Sequence, residues 1–408
     1  MTVEFIPTRT AALERLARFV PKAGADYARL RNYDLGQGAH MHVSTLSPYL
    51  RTRLITEQEV LAATLARHSA SASQKFVQEV FWRTYWKGWL EQRPSVWAQY
   101  RADLVRALDH IQTSQGARND WQAACLGETG IACFDHWARE LVQTGYLHNH
   151  ARMWFASIWV FTLRLPWVLG ADFFLRHLLD GDPASNTLGW RWVAGVQTRG
   201  KTYAARPDNI EKYTEGRFAP HGQLAQTAAP LDASADPPPH WAAPHQDRDQ
   251  SLRTGLILHG DDLSPGFVLP TDWAPAATLL LDATDGLSPL AVAPHVGQFA
   301  QGAMQDVSDR WRDRLGAVTG PCPPEQLIDW IDNNDLAQII TPYAPVGPVA
   351  DALRQIETKR PQVRLIRLLR PYDGAAWPHA TRGFFKFRDR IPELLEHLHL
   401  SERTTSAV

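Results

Sequence analysis

The spacing of apolar residues divides the chain into a helical first half and a second half in which strands and helices alternate. Apolar positions recur with helical spacing in residues 8–22, 57–68 and 74–92. Residues 254–398 instead contain short apolar runs separated by helical stretches, at 256–259, 277–282, 336–341 and 363–369. This alternation predicts a mainly parallel α/β sheet, whereas the first half predicts an all-α domain.

Composition places a boundary between these two regions. Residues 219–250 are rich in alanine and proline, as linkers are. We therefore expect a helical domain over 1–218, a linker over 219–250, a smaller α/β domain over 251–400 and a frayed tail over 401–408. The α/β region contains no G-x-G-x-x-G or P-loop pattern, so the sequence predicts no nucleotide site there.

Charge is distributed unevenly between the two halves. Residues 1–223 carry 26 Lys+Arg against 20 Asp+Glu, and residues 224–408 carry 16 against 23. A polyanion would therefore bind the first half, although a surplus of this size is also ordinary scatter. The three cysteines have neither metal nor disulfide spacing, so we expect no metal site. Without an apolar run of membrane length or a signal-like N-terminus, we expect a cytoplasmic protein with no membrane partner.

The densest chemistry lies in Asp180-Gly-Asp182-Pro-Ala-Ser-Asn186-Thr-Leu-Gly-Trp190-Arg-Trp192. Two carboxylates and an amide on such a loop suit the donors and acceptors of one polar heterocycle. The two indoles that follow offer flat surfaces for stacking or for one-electron oxidation. The alternative is a capped turn that precedes two core tryptophans.

A second polar stretch contains Ser44, Thr45, Leu46 and Ser47. Short hydroxyl side chains and free backbone N–H groups at the start of a helix form an anion site. An N-cap serine with no ligand is the alternative for this stretch.

Two helices place polar and aromatic side chains on one face at spacings i, i+3 and i+4. In the first helix these are Glu79, Trp82 and Arg83, which suit a pocket wall but are also compatible with an exposed ion pair beside a core indole. In the second they are Asn149, Arg152 and Met153. Arg152 can form an ion pair with Asp180 and so hold the loop.

Taken together, these blocks resemble the flavin-binding domain of the photolyase/cryptochrome family. The resemblance is carried by T-G-Y-L-H-N-H-A-R-M at 144–153, Leu-Pro-Trp167 and the Asp180–Trp192 block, in the family's order and spacing. It implies an all-α domain that holds FAD non-covalently. The residues it assigns to the cofactor are Tyr27, Ser44, Thr45, Leu46, Ser47, Phe76, Arg83, Asn149, Arg152, Asp180, Asp182 and Asn186.

The activity implied by the resemblance is that of a deoxyribodipyrimidine photo-lyase, in which reduced FAD splits cyclobutane pyrimidine dimers under blue light. UV-damaged DNA, single- or double-stranded, is then the partner of a monomer. The residues implied at the lesion are Glu79, Trp82, Met153 and Trp192, Asn186 is implied in catalysis as the residue that faces flavin N5, and those implied in electron relay are Trp190 and Trp167. Family members that act on (6-4) photoproducts have a histidine at the position of Met153, so the sequence favours cyclobutane dimers.

Several departures keep two other readings open: a cryptochrome-like photoreceptor without repair activity, and a flavoprotein that has lost both roles. His150 replaces a family arginine, Val43 replaces a threonine, and the third relay tryptophan has no clear match, with Trp121, Trp154 and Trp159 as candidates. The α/β region resembles the family's antenna domain, which ordinarily comes first. Its position after the flavin domain implies a circular permutation, and the antenna pigment stays undetermined.

Overall fold

Helices fill the N-terminal half of the protein, as the apolar spacing predicts. In the computed structural model, which describes residues 4–244 and 247–400, the helices of this half and a π-helical continuation of α9 over Ile158–Thr162 bury one shared core. They are α1 Arg9–Phe19, α2 Ala25–Leu30, α3 Ser47–Arg51, α4 Glu57–Leu65, α5 Ala70–Glu91, α6 Pro94–Thr113, α7 Gln115–Leu126, α8 Ala132–Thr144, α9 Asn149–Ser157, α10 Trp167–His177, α11 Pro183–Val193 and α12 Pro207–Tyr213. The predicted tail, 401–408, lies outside the described residues.

The long helix α5 contacts both halves of the protein. Ser69 caps its N-terminus by accepting a hydrogen bond from the Ala72 N–H at 3.2 Å. The helix packs against α2, α4 and α11 on the helical side and against elements that follow residue 370 on the other. At Gly88 a Cβ atom would lie 2.8 Å from the Trp377 Cα, so only glycine permits this close approach.

A five-stranded, all-parallel sheet forms the centre of the C-terminal half. Its strands, in spatial order β3-β2-β1-β4-β5, are β1 Thr254–His259, β2 Ala277–Leu281, β3 Ala317–Cys322, β4 Gln338–Pro342 and β5 Arg364–Leu368. The fold class predicted from the sequence is confirmed, and four of these strands coincide with the apolar runs. The edge strand β3 was missed because it contains Gly320 and Pro321 and is largely exposed, so it lacks an apolar run.

Alternate residues of the central strands face two different cores. Leu256 and Leu258 join the core shared with the helical half, whereas Ile257 of the same strand joins a second core. Helix α13 Pro294–Arg310 covers the first face, and α14 Leu327–Asn333 and α15 Pro348–Lys359 cover the second. After β5, the chain returns to the helical half as α16 Pro371–Ala376, α17 Phe384–Arg388 and α18 Ile391–His397.

The segment that composition marks as a linker has no regular structure in residues 219–244 and 247–250. It is nevertheless held along the helical half. The Arg191 guanidinium lies 2.5 Å from the Asp236 carboxylate, and the Thr202 hydroxyl donates to the Ala228 carbonyl at 2.8 Å. The composition therefore indicated its irregular backbone but not its contacts.

Buried arginines join the two halves. The Arg53 guanidinium donates to both oxygens of Asp373 at 2.7 Å each, and lies 3.2 Å from carboxylate oxygens of Glu57 and Asp262. Arg51 pairs with Asp261 and donates through Nε to the Gly181 carbonyl at 2.8 Å. Arg51 and Arg53 come from the helical half, while Asp261, Asp262 and Asp373 come from the C-terminal half, so buried ion pairs cross the interface.

Removing one buried partner should therefore destabilise the whole fold. We expect Asp373→Ala to lower the free energy of unfolding by about 3 kcal/mol, because it removes the bidentate partner of the buried Arg53. Equilibrium denaturant unfolding measures this change. The matched control is Asp351→Ala, which removes an exposed ion pair with Arg354 within α15 and should cost less than about 1 kcal/mol. Equal losses in the two variants would contradict the assignment.

Candidate functional site

A cavity of about 550 Å³ lies in the helical half, in the size range of small-molecule and cofactor sites. Its walls come from segments that are distant in sequence, among them α2, α5, α9 and α11. Every site residue expected from the sequence except Trp167 lines it: Tyr27, Ser44, Thr45, Leu46, Ser47, Phe76, Glu79, Trp82, Arg83, Asn149, Arg152, Met153, Asp180, Asp182, Asn186, Trp190 and Trp192. The fold thus brings the separate motifs to one place.

Hydroxyl side chains line one part of the wall. Ser47 begins α3, as the sequence predicts, and Thr45 has a φ of 49°, a left-handed conformation that is rare for a β-branched residue. The Thr45 hydroxyl accepts a hydrogen bond from Arg15 Nη1 at 2.7 Å and donates to the Ser44 carbonyl at 2.7 Å. Arg15 was missed because it lies thirty residues before this motif in the sequence. Its positive charge favours an anion at this end.

The ion pair between Arg152 and Asp180 is present with two hydrogen bonds. Arg152 Nη1 and Nη2 donate to the two carboxylate oxygens at 3.0 and 2.9 Å, and Arg152 Nε donates to the Leu147 carbonyl at 3.0 Å. Such bidentate pairs fix orientation as well as charge. The loop that begins at Asp180 is therefore held against α9.

Asp182 has the structural role of the capped turn that the sequence left open. Its carboxylate caps α11 by accepting from the Ser185 N–H at 2.8 Å, and lies 3.3 Å from Lys87 Nζ and 3.6 Å from Arg83 Nη2. Burial opposes ionisation of this carboxyl, but the nearby Lys87, Arg83 and Arg51 cations outweigh burial and hold its pKa far below the usual range. Asp182 is therefore an anion at neutral pH.

Lys87 and Arg51, which contact this loop, were both missed by the sequence reading. Lys87 stands four residues after Arg83 on α5, so extending the same helix face by one turn would have found it. Arg51 directly follows the serine-rich stretch but reaches the Gly181 carbonyl across 130 residues, which no local pattern reveals.

Asn186 presents one amide atom to the cavity. Its Nδ2 donates to the Ala171 carbonyl at 2.8 Å, which orients the side chain and leaves Oδ1 for a ligand. Asn149, the first residue of α9, lines the same cavity.

Two buried donors in the cavity wall have no hydrogen-bond partner among the described residues. They are the Ser185 hydroxyl and Trp190 Nε1, whereas Arg83 Nε and Nη2 lie 3.6 Å from carboxylate oxygens of Glu57 and Asp182. Leaving a buried donor unsatisfied costs about 1–3 kcal/mol, so such atoms ordinarily face a ligand or water. The donor set fits a polar, anionic ligand of the flavin nucleotide type.

Two indoles of the cavity wall are each backed by a second aromatic ring. Phe384, the first residue of α17, stacks on Trp82 with centroids 3.6 Å apart and planes within 12°. Trp192 stacks on Tyr203 at 5.6 Å. The C-terminal half thus supports one wall of the cavity, a contribution that the sequence did not predict. Glu79, also on this wall, pairs with Arg31.

The tryptophans proposed for electron relay occupy two different aromatic groups. Trp190 is buried and lies 6.1 Å from Trp159, ring centroid to ring centroid. Trp167 lies 5.7 Å from Tyr100, which in turn lies 5.1 Å from Trp97. The ring contacts therefore connect Trp190 with Trp159 in one group, and Trp167 with Tyr100 and Trp97 of α6 in the other.

His150 is held inside the protein and does not face outward. Its ring lies 4.0 Å from Trp154, with Nδ1 at 3.0 Å from the Asn32 carbonyl and Nε2 at 3.2 Å from the Tyr203 hydroxyl. Burial lowers the pKa of this histidine, so the ring is neutral at pH 7. Both ring nitrogens are therefore engaged within the fold.

The described ranges contain neither a group of acidic, histidine and cysteine side chains arranged for a metal ion nor a helix long and apolar enough to cross a membrane.

Known proteins are similar to this chain over the region that forms the cavity. Residues 76–230 match the family model described as the FAD binding domain of DNA photolyase. The deoxyribodipyrimidine photo-lyase of Vibrio cholerae is 29% identical over 200 residues, which cover 46% of this chain and 40% of the relative. The enzyme of the same name from Synechococcus sp. is 32% identical over 203 residues, covering 46% and 39%. The chain thus spans about two fifths of the length of these relatives.

Solved structures were also found. A bacterial class III photolyase from Agrobacterium tumefaciens aligns with a TM-score of 0.43 and 28% identity, over 51% of this chain and 43% of that one. A Synechocystis cryptochrome aligns with a TM-score of 0.42 and 25% identity, over 51% and 43%. The family match over residues 76–230 includes the Arg152–Asp180 pair and the loop that begins at Asp180, and these residues form a domain of the photolyase/cryptochrome family.

Proposed function

We propose that this protein is a light-driven DNA repair enzyme that binds FAD and splits cyclobutane pyrimidine dimers. The observation that carries the proposal is that one cavity is lined by the 180–182 loop, by the hydroxyl side chains of residues 44–47 and by the indoles of Trp82 and Trp192. Its unpartnered buried donors and its aromatic walls suit a flavin nucleotide next to a stacked base.

The chain offers distinct groups for the two ends of FAD. Ser44, Thr45 and Ser47, with Arg15 behind them, would bind the pyrophosphate, and Asn186 and the 180–182 loop would bind the isoalloxazine. Bound FAD, once reduced and excited by blue light, supplies the electron that opens the dimer and recovers it afterwards. The protein's own part is to hold the ring system, exclude water and position the lesion.

At the lesion side, Trp82 and Trp192 would stack the flipped bases and Glu79 would accept a hydrogen bond from them. Met153 lines the same cavity and offers an apolar, polarisable contact without a proton to transfer. Because opening a cyclobutane ring by electron transfer needs no proton relay at this position, Met153 suits that lesion.

A photoreceptor without repair activity is the second candidate, and one contact favours it. Phe384 covers one face of Trp82 at stacking distance, which leaves only the remaining surface of this indole for a base. A sensor that signals by moving α17 would use the same contact.

We also propose that residues 251–400 are the counterpart of the family's antenna domain in permuted order. The five-stranded parallel sheet and the buried ion pairs between the halves support this arrangement. The proposal includes no antenna pigment.

The repair proposal is tested by illuminating the reduced protein without oxygen in the presence of an oligonucleotide that contains one cyclobutane thymine dimer. We expect blue light to restore intact thymines, with no restoration in the dark. If the FAD-loaded protein restores no thymines under blue light, the repair proposal fails and the photoreceptor function is the one that is left.

The same assay on a (6-4) photoproduct should give no repair, because Met153 cannot act as a proton donor and His150 is neutral and fully hydrogen-bonded. Repair of that lesion by the wild type, abolished in His150→Ala, would overturn the lesion assignment and leave the fold intact.

Flavin retention should depend on the Arg152–Asp180 pair. We expect Asp180→Ala to weaken FAD binding by about tenfold or more, equivalent to about 1.4 kcal/mol, because the loop loses its tie to α9 and Arg152 loses its partner. Equilibrium dialysis of the apoprotein with FAD measures the dissociation constant. The control is Asp208→Ala, which removes an exposed ion pair of the same half and should leave FAD affinity unchanged. Equal affinity in all three proteins would contradict the placement of the flavin.

The rate of photoreduction of bound FAD should show which of the two aromatic groups relays the electron. We expect Trp190→Phe and Trp167→Phe each to slow photoreduction with FAD content unchanged, because phenyl rings are harder to oxidise than indoles. Trp159→Phe is the matched control, because Trp159 contacts Trp190 but is not part of the aromatic group that contains Trp167. If Trp159→Phe slows the reaction and Trp167→Phe does not, the relay passes through Trp159.

A further inference from the structure

Residues 381–390, here termed the basic segment, differ in charge from the rest of the C-terminal half. The basic segment carries four basic side chains, Arg382, Lys386, Arg388 and Arg390, and one acidic one, Asp389. The remainder of residues 224–408 carries 12 basic and 22 acidic side chains. A local surplus of positive charge inside an acidic half requires its own explanation.

The backbone of the basic segment is fixed to the helical half beside the cavity. Phe384 stacks on the cavity residue Trp82 at 3.6 Å, and the Tyr85 hydroxyl donates to the Arg382 carbonyl at 2.8 Å. Arg93 Nη2 donates to the Thr381 carbonyl at 2.8 Å. Phe384 of the basic segment therefore contacts a residue of the cavity wall directly, and hydrogen bonds from α5 and from Arg93 hold the start of the segment in place.

Two of its cations have no acidic partner. Arg388 lies 3.2 Å from the Asp389 carboxylate and Arg390 lies 2.5 Å from that of Glu393. By contrast, Arg382 and Lys386 are exposed, and in the part of the chain that the structure describes neither makes an ion pair.

An exposed aromatic ring accompanies these cations. Phe385 is 70% exposed, more than any other large apolar side chain of the described residues, and the Arg388 guanidinium lies 5.2 Å from its ring centroid. Exposing a phenyl ring to water is unfavourable, and exposed aromatic residues mark binding surfaces. Unpaired cations together with a flat apolar ring suit a ligand that has both phosphates and stacking faces.

We infer that the basic segment is a nucleic-acid contact that binds the strand next to the nucleotide held in the cavity. Arg382 and Lys386 bind backbone phosphates, and Phe385 packs on a neighbouring base or sugar. The inference rests on the proposed function, and it locates part of the DNA surface in the C-terminal half, where the overall charge would not have placed it.

The test is the salt dependence of binding to an oligonucleotide that contains a cyclobutane dimer. For duplex DNA we expect the double variant Arg382→Gln/Lys386→Gln to reduce the slope of log affinity against log salt by about 1.8, since each lost phosphate contact contributes about 0.9. The matched control, Arg354→Gln/Lys359→Gln, removes the same charge from α15 of the same half, whose residues do not line the cavity, and should keep the wild-type slope.

A second variant tests the aromatic part. Phe385→Ala should weaken binding by about fivefold or more while leaving the salt slope unchanged, because it removes stacking and no charge. FAD content equal to that of the wild type shows that each variant is folded.

The outcomes separate the two proposals. If the wild type binds damaged DNA with a steep salt dependence and the double variant has the same slope, the basic segment is not a DNA contact while the repair proposal stands. If the wild type binds no DNA at low salt, both proposals fail.

Discussion

The wall of the cavity depends on the buried carboxylate of Asp182. It caps α11 at the point where that helix enters the cavity wall, and its counter-charges are Lys87 and Arg83 on α5. A buried carboxylate needs such partners, because desolvation of an isolated charge costs several kcal/mol. The position of α11 relative to α5, and with it the width of the cavity, is therefore set by electrostatics as well as by packing.

The same requirement extends across the interface. Arg51 donates to the Gly181 carbonyl of the cavity loop and is neutralised by Asp261, and Arg53 is neutralised chiefly by Asp373. The loop that forms the cavity is thus supported by carboxylates from the C-terminal half. The family match over residues 76–230 includes neither Arg51 and Arg53 nor the aspartates that neutralise them.

Local sequence patterns predicted the fold class and several residues of the cavity wall, but not every strand or the contacts between distant segments. Helix periodicity and apolar runs indicated the fold class, and i, i+3 spacing grouped Asn149 with Arg152, both of which line the cavity. Two features could not be predicted from short stretches of the sequence. The edge strand at 317–322 has no apolar run, and the stacking of Phe384 on Trp82 joins positions about three hundred residues apart. Such pairs follow from how the two halves pack, which charge and periodicity within one segment do not encode.

The long sequence separation of the Arg53–Asp373 pair also sets an order of events during synthesis. Arg53 precedes Asp373 by 320 residues, and at about 5–20 residues per second a ribosome needs on the order of 16 to 64 s to make that stretch. Until then the guanidinium lacks its bidentate partner and remains hydrated. The helical half therefore reaches its native charge pairing only after the last strand has been translated. A chain arrested before residue 373 would contain the helices of the cavity wall but not the carboxylate that neutralises Arg53 behind them.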